Sequence, residues 1–96
     1  MAYLRQNYRD VNLSNTIIAE AAGISPAYLS RFFKQQTGLG VAAYLNRIRV
    51  DEAKKLLRNH PEMTISRICE NIGFDNVATF IRVFKKVEGV TPGKFR

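Results

Sequence analysis

The 96-residue sequence has one cysteine, Cys69, and one histidine, His60. A zinc site needs about four nitrogen or sulfur ligands, so these two residues cannot build one. A single cysteine also excludes an internal disulfide and fits a reducing compartment. No apolar run approaches the roughly 18 residues of a membrane span, and the first residues do not read as a secretory signal. No stretch alternates apolar and polar residues as a half-buried strand would. There is no Gly-rich phosphate loop, no Ser/His/Asp or Cys/His set and no pair of carboxylates on one helical face. The expectation is therefore a non-enzyme without cofactor or metal. Acidic residues are scarce too: eight Asp and Glu stand against fifteen Lys and Arg, a net charge of +7. That excess favours a polyanionic partner, but alone it does not choose between DNA, RNA and an anionic membrane.

What is present suits one compact domain. The chain is 46% hydrophobic, ordinary for a globular protein. Its punctuation is helical throughout. Tyr3–Tyr8 reads as the end of a helix, followed by the polar connector Asp10-Val11-Asn12. Ser14 caps a short helix over Thr16–Ala22 that Gly23 closes. Ser25 caps the next, with Pro26 at its first position, running to Thr37 and stopping at Gly38. Val41–Arg58 reads as one long helix with Leu45, Ile48, Ala53, Leu56 and Leu57 near one face, and His60-Pro61 breaks it. Thr64 caps Ile65–Ile72, which Gly73 ends. Asp75 is expected to cap Asn76–Val87, which Gly89 ends, and Thr91 caps a last turn beginning at Pro92. The predicted class is all-α, with about seven helices.

The two halves of the chain repeat. Ile18-Ala19-Glu20 and Gly23 match Ile68-Cys69-Glu70 and Gly73. One residue is added beyond that glycine. Then Leu29, Arg31, Phe33, Lys34 and Gly38 match Phe80, Arg82, Phe84, Lys85 and Gly89. Each half is helix, tight turn, helix, which is the helix-turn-helix plan. The organisation is lobe one over about residues 1–40, a linker helix over about 41–58, and lobe two over about 62–96. Ala19 and Cys69 share a position where a small side chain lets two helices cross closely, so Cys69 reads as a packing residue.

In the second helix of each unit the faces separate by helical spacing. Leu29, Phe32 and Phe33 in one, and Phe80, Val83, Phe84 and Val87 in the other, are expected to point inward. The opposite faces carry Ala27, Ser30, Arg31 and Lys34, and then Ala78, Ile81, Arg82 and Lys85. Small residues first, an Arg next and a Lys one turn later suit a helix in a major groove. Arg forks onto guanine and Lys meets a phosphate. Ile81 departs from that polarity. It is either partly buried against its lobe or set against a thymine methyl group, as Val77 and Ala78 could also be.

The run Ala21-Ala22-Gly23-Ile24-Ser25-Pro26-Ala27-Tyr28-Leu29-Ser30-Arg31-Phe32-Phe33-Lys34, with Thr37-Gly38, resembles the first helix-turn-helix of the arabinose-regulator (AraC/XylS) family. Tyr44–Arg49 and Ala53–Leu57 resemble its linker helix. Ile72-Gly73-Phe74-Asp75, Phe80–Lys86, Gly89 and Thr91–Arg96 resemble its C-terminal signature. The resemblance implies a monomeric domain that sets two recognition helices in successive major grooves of a double-stranded DNA operator. Carried over by position, Ala27, Ser30 and Arg31 face bases in the first groove. Val77, Ala78, Ile81 and Arg82 do so in the second. Phosphate contacts are expected from Lys34, Arg49, Lys85 and Lys86 and from backbone N–H groups where helices begin at Ser14, Thr64 and Thr91. Lys54 and Lys55 are weaker candidates because Asp51 is placed to pair with them.

The sequence departs from the family at Asn15, usually apolar, and at Ile17, where a capping-box Glu is missing, so the first short helix should be less firmly anchored. The expected partners are operator DNA and RNA polymerase, with no membrane, in the bacterial cytoplasm. The chain begins inside what should be a first helix. The expectation is thus a C-terminal domain cut from a longer regulator, with Met1 added and a sensor or dimerisation domain upstream. Two alternatives stay open at this point: a helical protein-interaction module using Val77 and Ile81, or the DNA-binding part of a DNA-repair methyl-transfer protein.

Overall fold

A computed structural model describes residues 2–96, so the expectation about Met1 lies outside the described residues. Seven helices follow one another without a strand among those residues: α1 (Ala2–Asn7), α2 (Asn15–Ala22), α3 (Pro26–Thr37), α4 (Val41–Asn59), α5 (Ile65–Ile72), α6 (Val77–Glu88) and α7 (Pro92–Phe95). The starts follow from side-chain capping. Ser14, Ser25, Thr64 and Thr91 each accept the backbone N–H three residues on, which satisfies one of the donors a helix N-terminus leaves unpaired. At α6 the capping residue is Asn76, not the expected Asp75: Asn76 Oδ1 accepts from Thr79 N at 2.8 Å, and the helix runs one residue further, to Glu88. α2 starts at Asn15 despite the missing Glu, with a long 3.3 Å cap from Ser14.

Each lobe has its own core, and α4 is shared between them. Its N-terminal half gives Val41, Leu45 and Ile48 to a first cluster with Leu4, Leu13, Ile18, Ala19, Leu29 and Phe33. Its C-terminal half gives Val50, Ala53 and Leu57 to a second cluster with Ile68, Cys69, Ile72, Phe74, Phe80 and Phe84. The periodic face read from the sequence is thus one stripe serving two cores in turn. The result is elongated, 41 × 22 × 21 Å. Cys69 is buried, as its repeat position implies, with its thiol 3.6 Å from Phe74 O.

One inward expectation fails. Phe32 is 42% exposed, while Leu29 and Phe33 are buried. With those two defining the inward direction, Phe32 falls on the rim of the stripe, and its ring lies edge-on to Phe33 at 6.4 Å. Its counterpart Val83 is small enough to be half-buried at the same rim.

The turns after α2 and α5 use Gly23 and Gly73 in the left-handed region, φ 71° and 91°, which L side chains rarely adopt. The two turns sit in different surroundings. A Cβ on Gly23 would meet open space, whereas one on Gly73 would run into the Tyr8 carbonyl oxygen and lie 3.1 Å from Arg49 Nε. The end of lobe one's first helix therefore touches the central turn of lobe two.

Candidate nucleic-acid interface

Helices α3 and α6 present matched surfaces. Ala27, Ser30, Arg31 and Lys34 are exposed on α3, and so are Ala78, Arg82, Lys85 and Lys86 on α6. Val77 is half-buried at the edge of the second core. Ile81 is also half-buried, beside Arg82, and is not among the side chains packed on that core. Both helices follow a capped start, and both bury only the stripe opposite: Leu29 and Phe33, Phe80 and Phe84. The outward set is free to meet something else.

The cations divide into two populations. Some are engaged within the protein. Lys54 pairs with Glu88 at 2.8 Å and Lys55 with Glu52 at 3.0 Å, so the anions are these two and not the anticipated Asp51. Arg58 lies 5.0 Å over the Phe95 ring, and Arg96 donates to His60 O and Met63 O, tying α7 to the end of α4. Among the described residues, the side chains of Arg5, Arg31, Lys34, Arg47, Arg67, Arg82, Lys85, Lys86 and Lys94 have no ion-pair partner within the protein and lie over no ring. Five of these nine lie on α3 and α6 and the other four are single residues on α1, α4, α5 and α7, so the two matched helices carry the densest unpaired positive charge.

Between the lobes, α4 and α6 border an open groove of about 610 Å³ lined by Leu39, Ala43, Asn46, Arg47, Arg82, Val83, Lys86 and Val87. Arg47 was not singled out from the sequence. Its signal was available: it lies opposite the Leu45 and Ile48 stripe, on the side of α4 that faces the second lobe.

Arg49 is not on this surface. It is 8% exposed, its Nε and Nη2 donate to Tyr8 O and Asp10 O at 2.9 Å each, and its guanidinium sits 5.5 Å over the Phe74 ring. Burial pulls its pKa below the ordinary arginine value, and the Asp10 and Asp75 carboxylates oppose that shift. An arginine held this way ties the fold together and has no reach to a DNA backbone. The expected phosphate role is corrected accordingly. Ser14 and Thr64 sit exposed at the starts of α2 and α5, and Thr91 is half-buried at the start of the four-residue α7. Burial also pushes the Cys69 thiol up, with Asp75 and Glu70 adding to the effect, so the thiol stays neutral and unreactive. No group of three His, Cys, Asp or Glu that could hold a metal occurs among the described residues, and no described helix is long and apolar enough to cross a membrane.

Comparison with known proteins places this geometry. A helix-turn-helix domain family matches residues 18–96. The arabinose operon regulatory protein of Escherichia coli is 36% identical over 94 residues, which are 98% of this chain and 32% of that protein. The chain thus spans about a third of the length of that relative. Among solved structures, the C-terminal domain of AraT, a response regulator from Geobacillus stearothermophilus, superposes with a TM-score of 0.95 at 35% identity, covering 99% of this chain and 78% of that one. The DNA-binding domain of AdpA, solved in complex with a target DNA, shares the fold at a TM-score of 0.91 and 20% identity, covering 98% and 83%. Neither the protein-interaction reading nor the repair reading gains support from these relatives. Two matched helix-turn-helix units share one helix and expose basic residues on their second helices, and the chain belongs to the AraC-type family of helix-turn-helix, DNA-binding transcription regulators.

Proposed function

We propose that α3 and α6 enter successive major grooves on one side of an operator, each reading one block of base pairs. The observation that carries this reading is the repeated outward set at matched positions, Ala27, Ser30, Arg31 and Lys34 against Ala78, half-buried Ile81, Arg82 and Lys85, on two helices held by one scaffold. Small residues at the start of each helix let its backbone approach the groove floor. Arg31 and Arg82 then fork onto guanine O6 and N7, and Ser30 donates or accepts at a neighbouring base. In the second groove Val77, Ala78 and Ile81 contact thymine methyl groups. Lys34, Lys85 and Lys86 neutralise phosphates, assisted by backbone N–H groups at Ser14 and Thr64 and, to a smaller extent, Thr91. The domain acts by binding and carries out no chemical step.

The 19-residue α4 spans about 28 Å, while successive major grooves lie about 34 Å apart. If the reading helices are held closer than one helical repeat, the DNA bends toward the protein. A cytoplasmic parent protein with an upstream sensing or dimerising domain, and contact with RNA polymerase, complete the proposal. The test is selection of bound duplexes from a random double-stranded library at about 0.15 M salt. An asymmetric site with two blocks about one helical turn apart is the expected result. A single short block would show that only one lobe reads bases, and no enriched motif would overturn the reading.

A further inference from the structure

We infer that Arg49 and Gly73 fix the distance and rotational phase between α3 and α6, so that the fold itself reads the spacing between the two blocks of an operator. The inference rests on the two-groove reading above and adds a specificity determinant that touches no base. Lobe one packs on the first half of α4 and lobe two on the second. With that contact alone, the angle between the lobes would depend on the stiffness of one helix. The structure adds a second crossing. The connector after α1 folds back over the middle of α4, where Arg49 holds two of its carbonyls, Tyr8 O and Asp10 O, from 41 and 39 residues away. The same guanidinium lies over Phe74 of lobe two. Tyr8 packs against both cores.

Gly73 completes the junction, because its missing Cβ is what lets the Tyr8 carbonyl and the Arg9 backbone come that close. Two attachments, unlike one, resist rotation as well as bending. A buried guanidinium with satisfied carbonyl partners is also costly to release, since breaking the contact leaves both the cation and its acceptors without partners. Charges around the junction are Asp10 on the connector and Asp75 after α5, both acting on Arg49.

One base pair inserted between the blocks moves the second by about a tenth of a turn as well as along the axis. A rigid pair of lobes cannot follow, and loses the second block. The experiment takes the selected two-block duplex, variants with one or two base pairs inserted or deleted between the blocks, and single-block duplexes, and measures affinity by anisotropy at fixed salt. The wild-type chain should lose about tenfold or more on a one-base-pair change, falling toward its single-block affinity. Arg49→Met, checked for folding by thermal melt, should bind single-block duplexes within about twofold of wild type yet lose no more than about threefold on the same insertion.

If Arg49→Met does not fold, Arg49→Lys replaces it. It keeps the charge but not the forked donors, and should flatten the spacing profile partway. A wild-type chain indifferent to spacing, or a folded Arg49 variant with the wild-type profile, would overturn the inference while leaving the two-groove reading intact. Failure to select any two-block site would instead overturn the reading on which it rests.

Discussion

The two lobes share a plan and differ in how they use it. In lobe two, the position after the repeated Glu and its neighbour is Ile72, buried at 1% exposure. Its counterpart in lobe one is Ala22, which is exposed. Phe80 and Phe84 are fully buried, and Phe84 is joined edge-on by Phe95 at 5.5 Å. Lobe one has Phe32 exposed at its rim. The faces proposed to read DNA are reversed in character. Lobe one offers Ser30 and Arg31, and lobe two offers Val77, Ile81 and Arg82. The lobe with the larger buried side chains therefore carries the more apolar of the two proposed reading helices, and the other lobe carries the more polar one. On the proposed function, packing and discrimination are set on opposite sides of the same two helices, so each can vary without the other.

Substitutions can break that comparison at several points. Phe80→Ala should be the most damaging, at about 3–5 kcal/mol of stability in urea unfolding, because it empties the centre of the second core. Phe32→Ala should cost less than about 1 kcal/mol in the same measurement, since the ring is already partly in water. Equal costs would contradict the difference in burial between the two rings. On DNA, Arg31→Ala should lose about 1–3 kcal/mol and relax preference at one base pair of the first block, read by competition between single-base variants. Ile81→Ala should lose about 1 kcal/mol or less, and only where a thymine methyl is present, so replacing thymine by uracil should cancel the effect. Lys85→Ala should weaken all sequences alike and lower the slope of log affinity against log salt by about one.

The smallest effect concerns Cys69. Its thiol is pushed up in the folded state, so its contribution to stability is complete at neutral pH. That contribution falls only as the pH rises through and beyond the ordinary thiol value of 9.0. Alkylation at pH 8 should therefore track unfolding in urea. Rapid labelling of the folded domain would contradict the burial.

The helices, most of their caps and, Phe32 apart, the inward stripes were legible in the sequence because each depends on residues within about four positions of one another. The exposed sets on α3 and α6 were legible for the same reason, helped by the repeat. Phe32 was misplaced because helical spacing gives a side chain's direction and not the width of the core it meets. Arg49 was misread because a basic residue on a helix looks the same whether its partner is a phosphate or a carbonyl 41 residues away. Lys54 followed the same pattern, pairing across helices with Glu88 rather than along its own with Asp51. Long-range partners are set by how the lobes close on α4, and no local pattern announces them.

The most direct test of the two-groove claim is guanine-N7 methylation interference on the selected operator, with the wild-type domain, Arg31→Ala and Arg82→Ala. The account predicts two clusters of interfering guanines on one face of the duplex, about one helical turn apart, with Arg31→Ala losing only one cluster and Arg82→Ala only the other. One cluster in the wild type, or both variants losing the same guanines, would contradict it.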